Sequence, residues 1–280
     1  MYCDLHIHSD HSDGTCSPTQ IVAMAKQLGL TVALTDHNTV SGLPEFLRAA
    51  REQNVTAVGG TELSTAHGDK ELHLLGLFIE PKHYDTIEQV TRHFSLLKEQ
   101  SNMELVRRLQ QAGYAVDYAR IEEKYPKGNI NRAHVGAELM AQGYVSSVEE
   151  AFRTLLDDDL GFYVPSERLQ TTYAIQMLRQ MGAIPILAHP LQDLTQQELR
   201  KILPSLIEAG LLGMEVFHSS YDAKAHELAV QIAEEFALLP SGGSDFHGTV
   251  KPTIQLGVGE GHMRIPAKIY ENLLQLYENQ

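Results

Sequence analysis

Short apolar runs of strand character alternate with amphipathic helical stretches along most of the chain, and this alternation restricts the fold more than any other feature. The runs extend from Tyr2 to His8, Thr31 to Thr35, Thr56 to Gly60, Leu72 to Ile79, Ile184 to Ala188, Leu212 to Phe217 and Ala237 to Leu239. Helical periodicity fills most of the gaps, as in PTQIVAMAKQLG and LPEFLRAARE. Repeated β/α units predict a largely parallel sheet or barrel. Two places break the rhythm. The strand ending at Glu62 is followed by only Leu63 and STAHGDK before ELHLLGLFI begins, whereas a parallel crossover needs about a dozen residues or more. These strands are therefore expected as an antiparallel hairpin, with the start of the second beside the end of the first. Residues 99–169 carry helical pattern (NMELVRRLQQAG, RAHVGAELMAQG, SVEEAFRTLLDDD) and little strand signal. That stretch is expected as a helical insertion between a first barrel part, 1–98, and a second, 170–280. Asp157, Asp158 and Asp159 read as its solvated helix end.

Composition narrows the function classes. A net charge of −14 argues against a surface for wrapping long duplex nucleic acid, because a polyphosphate backbone is held by clustered Lys and Arg. A phosphorylated small molecule or an oligonucleotide end fits such a chain only where cations gather locally, and metal ions would supply them. No apolar run approaches the roughly 18 residues of a membrane span. Asp4, His6 and His8 interrupt the N-terminal apolar stretch, unlike a signal peptide, so a cytoplasmic location is expected. Cys3 and Cys16 make neither a disulfide framework nor a CxxC pair and read as structural.

The chemistry-bearing residues collect at strand ends. On a strand, residues two apart face the same side, so His6 and His8 project together. An HxH pair alone is weak evidence for a metal site. TVALTDH, however, delivers Asp36 and His37, TAVGGTE delivers Glu62, AIPILAHP delivers His189, and LLPSGGSDFHG delivers Asp245 and His247. Asp13 follows the first strand in SDHSDG, and the hairpin places His73 next to Glu62. A β/α barrel gathers its active-site residues at this rim. Mixed imidazole and carboxylate donors suit Zn, Mn or Fe better than Mg or Ca, and their number suffices for more than one ion.

HIHSDHSDG, ALTDHN, GGTELS, ELHLLGL, LAHP and SGGSDFHG, in that order, resemble the polymerase and histidinol phosphatase (PHP) family. NRAHVGAELMAQGYV, AFRTLL, YVPSERL and KPTIQLGVG resemble its TrpH-like, nucleotide phosphoesterase branch. The resemblance implies a distorted, seven-stranded, TIM-like β/α barrel with a helical insertion and a centre of three divalent metal ions. Mn2+ is expected first, with Zn2+ or Fe2+ as alternatives. One ion would be held by His6, His8, Glu62 and Asp245. A second would share Glu62 and take His73 and His189, and the third would lie on Asp13, His37 and His247. Such a centre carries an excess of about three positive charges over its carboxylates. An acidic protein would thus present a cationic pocket.

The implied reaction is hydrolysis of phosphate monoesters or diesters of nucleotides, with hydroxide bridging two of the metals attacking phosphorus in line. Expected substrates are a 3',5'-nucleoside bisphosphate or short 5'-phosphorylated RNA cleaved from its 5' end. No obligate protein partner is expected. Arg132 and His134 resemble the pair that holds the substrate phosphate in related proteins, although Ala133 stands where the family has proline. An arginine clamps phosphate with two parallel hydrogen bonds, and a helix start favours anions. Glu62, Asp245, Arg132 and His134 are thus the residues expected to carry catalysis. Alternatives are a histidinol phosphatase and a non-catalytic metal-binding PHP module like those attached to DNA polymerases. A C–N hydrolase of the amidohydrolase type is disfavoured, because no Lys stands at a strand end to bridge metals.

Several residues keep two readings. Asp4 and Asp36 either orient a ligand imidazole or serve as ordinary buried hydrogen-bonding groups. Glu215 and His218 are expected at the rim, His218 as a substrate contact or a surface residue. Lys251 either touches substrate or is solvated. His11, His67, His83, His93, His226 and His262 read as bystanders.

Overall fold

The alternation resolves into eight strands and eleven α-helices in a computed structural model that describes residues 1–125, 130–157, 160–261 and 263–280. Asp158, Asp159 and His262 lie outside the described residues. The strands are β1 (Tyr2–Asp4), β2 (Leu30–Leu34), β3 (Ala57–His67), β4 (Lys70–Leu77), β5 (Ile184–Leu187), β6 (Gly213–His218), β7 (Leu239–Gly243) and β8 (Ile265–Pro266). The helices are α1 (Pro18–Leu28), α2 (Leu43–Gln53), α3 (Tyr84–Gln111), α4 (Tyr118–Lys124), α5 (Arg132–Ala141), α6 (Val148–Ala151), α7 (Thr171–Gln180), α8 (Pro190–Asp193), α9 (Gln196–Glu208), α10 (Ala223–Glu235) and α11 (Ala267–Glu278). Two compact units result: Met1–Gln89 with Leu169–Gln280, and Val90–Arg168. The residue pair 98/99 falls inside α3, whose 28 residues run without a helix-stopping signal.

The larger unit is a mixed sheet ordered β7-β6-β5-β4-β3-β2-β1-β8. Its β1, β2 and β3 are mutually parallel, as are β5, β6 and β7, while β4 runs antiparallel to both neighbours. The expected hairpin is therefore present, and longer than the apolar runs suggested. Ser64 pairs with His73 and His67 with Lys70, so most of STAHGDK is strand, turned at Gly68 with φ +63°. Because β4 runs backwards, its early residues reach the end of the sheet where the parallel strands finish. An eighth strand adds to the seven expected. At two residues, β8 is too short to leave an apolar run in the sequence.

The first strand is also shorter than its alternation implied, since the regular ladder stops at Asp4. Beyond it the chain stays extended but changes partners. Leu5 N–H donates to Gly242 O at 3.1 Å, Asp245 N–H to His6 O at 2.9 Å, His8 N–H to Phe246 O at 2.9 Å, and Thr35 N–H to Ile7 O at 2.9 Å. Three of these bonds tie the first strand's extension to β7 and the residues just after it and so close the barrel, while Thr35 keeps it joined to the end of β2. Gly243 permits the approach, because a Cβ there would stand 2.2 Å from the His6 Cβ and 2.3 Å from its nitrogen.

Local signals explain the helices around this sheet. In α1, Ser17 and Gln20 form a capping box, Pro18 occupies the first turn, and Gly29 ends the helix at φ +64°. Cys3, Leu5, Leu75, Leu77, Ile184 and Ile186 form a buried cluster to which α11 adds Ile269 and Leu273. The smaller unit has its own core, in which Leu105 and Leu109 of α3 meet Val135 and Leu139 of α5 and Leu155 and Leu156 beyond α6.

Candidate metal centre

Glu62 is the hub of the barrel's polar end. Fully buried on β3, it has Oε2 3.1 Å from His6 Nε2, 3.2 Å from His8 Nε2 and 3.0 Å from His37 Nδ1. Its Oε1 lies 2.9 Å from His73 Nδ1 and 3.0 Å from His189 Nε2. Five imidazoles delivered by four stretches of chain thus converge on one carboxylate. Asp245 forms a second focus, with Oδ1 3.3 Å from His8 Nε2, 3.8 Å from His6 Nε2 and 3.4 Å from His247 Nδ1. Asp13 forms a third, 3.2 Å from His247 Nε2, 3.8 Å from His8 Nδ1 and 3.9 Å from His37 Nε2.

Backbone geometry turns these side chains inward. Asp245 adopts φ +56° and His189 φ +28°, left-handed values that non-glycine residues rarely take. Asp36 receives Ser9 N–H and Ser9 Oγ–H, both at 2.7 Å, and Ser12 Oγ–H at 2.6 Å. It therefore holds the loop that presents Asp13 and leaves the imidazoles to other groups. Asp4 acts similarly, receiving Ser244 N–H at 2.8 Å, Ser244 Oγ–H at 2.5 Å and Gly257 N–H at 2.7 Å. For both aspartates the orienting alternative gives way to the buried hydrogen-bonding one.

The group that does orient an imidazole is Glu215. It sits fully buried on β6 instead of at an open rim, and it accepts from His6 Nδ1–H at 3.1 and 3.2 Å and from His189 N–H at 2.8 Å. Placing the His6 proton on Nδ1 turns the Nε2 lone pair toward Glu62. The sequence signal that locates Glu215 is weak: a lone acid inside the apolar run GMEVFH. His218 is also buried, with Nε2 3.5 Å from Asp245 Oδ2 and Nδ1 2.7 Å from Ser220 Oγ. It is no surface residue. Lys251, at 2.6 Å from Asp245 Oδ2, is paired and not simply solvated. Among the other histidines, His11 bonds Ser41 and His226 bonds Val216 O, away from the cluster.

The cluster's electrostatics follow from burial opposed by close opposite charge. Burial works against charge on Glu62, but His6, His37 and His73 hold its carboxyl well below the usual carboxylate range. Burial likewise works against charging His73, yet Glu62 and Glu71 push it up to about 10. For His37, burial prevails over Glu62 and brings the imidazole down to about 4.

The donor set fits metal ions. His6 Nε2, both ring nitrogens of His8, His37 Nδ1, His73 Nδ1, His189 Nδ1 and Glu62 Oε2 are buried and meet no hydrogen bond of acceptable geometry. Buried polar atoms without partners are costly in a folded protein, and cations placed between such lone pairs satisfy them. Donor atoms close enough to share an ion occur in four groups among the described residues: His8, Asp13, His37 and His247; His6, Glu62 and His189; His6, His8 and Asp245; His37, Glu62 and His73. The first contains the expected trio of Asp13, His37 and His247. His6, His8 and Asp245 fall within the first expected set, whereas the two groups that contain Glu62 mix sets, one joining His6 to His189 and the other His37 to His73, because Glu62 stands among all five imidazoles.

Arg132 and His134 belong to the smaller unit, at the start of α5. Asn131 caps this helix, its side chain accepting His134 N–H at 3.2 Å while its own N–H donates to His134 Nδ1 at 3.2 Å. The Arg132 guanidinium lies 4.2 Å from the Tyr163 ring centre and donates to Leu156 O at 3.1 Å. His134 stacks on Tyr125 at 4.0 Å.

A model of the PHP domain matches residues 4–158. The chain belongs to the PHP family. This PHP protein is 32% identical over 246 residues to a 5'-3' exoribonuclease of Haemophilus influenzae, covering 87% of this chain and 89% of that one. It is 30% identical over 288 residues to a phosphoribosyl 1,2-cyclic phosphate 1,2-diphosphodiesterase of Eggerthella lenta, covering 95% of this chain and all (100%) of that one. A 3',5'-nucleoside bisphosphate phosphatase of Chromobacterium violaceum is 27% identical, with 87% and 86% covered. Among solved structures, a protein of Bifidobacterium adolescentis assigned as a metal-dependent phosphoesterase aligns with a TM-score of 0.72 at 26% identity, over 98% of this chain and 96% of that one. The distorted β/α barrel is thus the fold of the family.

Proposed function

We propose that this PHP protein is a metal-dependent phosphoesterase acting on nucleotides, either removing a phosphate from a 3',5'-nucleoside bisphosphate or cleaving short 5'-phosphorylated RNA from its 5' end. The observation that carries this reading is the convergence of His6, His8, His37, His73 and His189 on Glu62, with Asp245 and Asp13 behind them. The relatives' names give the substrate class. We assign three divalent ions to the centre, Mn2+ foremost, with His6, His8, Glu62 and Asp245 for one, Glu62, His73 and His189 for the next, and Asp13, His37 and His247 for the third.

Bound divalent ions supply Lewis acidity and a water of lowered pKa. The chain's own residues supply placement. Glu62 and Asp245 fix the spacing of the imidazoles. Glu215 keeps the His6 proton on Nδ1. The buried floor of the pocket lowers the local dielectric, so charge on a phosphoryl group meets its partners with little screening. Arg132 and His134 are proposed as phosphate ligands. His218, whose buried Nε2 lies 3.5 Å from Asp245 Oδ2, is also proposed as a substrate contact. The 95% and 100% coverage with the diphosphodiesterase favours one second reading, a 1,2-cyclic phosphate diester of a phosphoribosyl sugar. The test is to incubate Mn-loaded protein with a nucleoside 3',5'-bisphosphate, a 5'-phosphorylated short RNA, a ribose 1,2-cyclic phosphate and histidinol phosphate, following phosphate and mononucleotide separately. Turnover of either nucleotide substrate is expected, and turnover of histidinol phosphate alone overturns the reading.

A further inference from the structure

The cavity over the cluster, about 400 Å³, is lined by His37, Glu62, His73, His189 and Asp245 and also by two lysines, Lys70 and Lys251. Lys70 is taken up by Glu198 at 2.9 Å. Lys251 instead points at a residue of the centre itself, its Nζ 2.6 Å from Asp245 Oδ2. The two oxygens of Asp245 are thus divided, Oδ1 facing His8 and His6 and Oδ2 facing the ammonium, with His218 Nε2 farther off at 3.5 Å. The backbone leading to Lys251 is fixed by Thr249 N–H donating to Thr15 Oγ1 at 2.9 Å and by Gly248 at φ +65°. Its head remains reachable, because the side chain is 41% exposed.

Electrostatics makes this placement informative. An ammonium beside a carboxylate that also holds cations is repelled by those cations, and one carboxylate charge does not satisfy both. An anion with several oxygens does: one oxygen faces the centre and another accepts from Lys251. We propose that Lys251 binds the phosphoryl group of the substrate, marking the side of the centre on which a phosphate oxygen sits; this rests on the phosphoester reading above. The class of ligand is a phosphate mono- or dianion, for which a lysine acts as a point charge. A lysine that merely neutralises Asp245 behaves differently on replacement, since metal retention then changes while phosphate affinity per loaded site does not.

The experiment is calorimetric titration of inorganic phosphate into Mn-loaded wild type, Lys251→Met and Lys251→Arg, with metal content and ester hydrolysis measured on the same samples. Lys251→Met is expected to keep its full metal content and to bind phosphate roughly ten- to a hundredfold more weakly, with Lys251→Arg between it and wild type. Unchanged phosphate affinity in Lys251→Met, or loss of metal from it, overturns the assignment. Absence of phosphate binding by wild type overturns it too. Ester hydrolysis in those same samples then decides whether the phosphoester reading falls with it or stands alone.

Discussion

Glu62 and Glu215 divide the work of the centre at the scale of single residues. Glu62 faces five imidazoles within 3.2 Å, so Glu62→Gln removes the charge that gathers them and is expected to lose metal and nearly all activity. A fully active, metal-replete variant contradicts its bridging role. Glu215 touches His6 and the His189 backbone from behind, so Glu215→Gln should weaken metal binding by about 10- to 100-fold without removing a ligand. Unaltered metal affinity in a competition titration argues against it. Protons add a third test. With His73 pushed up to about 10 by Glu62 and Glu71 against the effect of burial, the metal-free imidazole is charged near pH 7.5 and must give up its proton to bind a cation. Metal uptake should therefore release protons and weaken as pH falls, measured as a heat that depends on the buffer's ionisation enthalpy. Buffer-independent heat rules this out. Eight of the nine expected donors were proposed because each ends an apolar run or follows one closely, and His73, at the start of its run, because the hairpin brings it to Glu62; Glu215 sits mid-run, where an acid reads as incidental.

Two elements place the donors, and the sequence disclosed them unequally. The β3–β4 hairpin followed from loop length alone, because eight residues between Glu62 and Glu71 are too few for a parallel crossover. Its register, with Ser64 opposite His73, depends on where the turn falls, and Gly68 sets that. The extent of β1 was less legible. Period-two alternation persists through His8, yet the regular ladder with β2 ends at Asp4, because Leu5, His6 and His8 bond β7 and the segment after it while Ile7 alone still meets Thr35 beyond β2. Alternation reports side-chain direction and not partner. Gly243 supports that switch, so Gly243→Ala should cost about 1–3 kcal/mol and lower the melting temperature along with metal content. A wild-type melting temperature contradicts the close approach of β7 to His6. In the smaller unit, Arg132→Ala is expected to lower kcat/KM without loss of metal; unchanged kinetics removes Arg132 from substrate binding.

The proposed function asks an acidic chain, net −14, to bind an anionic substrate in a cavity lined largely by carboxylates and imidazoles, and cations concentrated in one place reconcile the two. The family of the barrel was legible because six motifs from HIHSDHSDG to SGGSDFHG stand along the chain in the order that the resemblance rests on. Where the insertion begins was less visible, since α3 runs from Tyr84 to Gln111 with one continuous periodicity across both compact units. No helix among the described residues is long and apolar enough to cross a membrane. Charge reversal by bound metal predicts strong dependence of activity on chelators and recovery when Mn2+ is returned. The metal content of protein purified in excess Mn2+ and then desalted, measured by mass spectrometry per folded chain, is the most direct test. About three ions per chain are expected from nine converging donors, and fewer than about one contradicts a multinuclear centre.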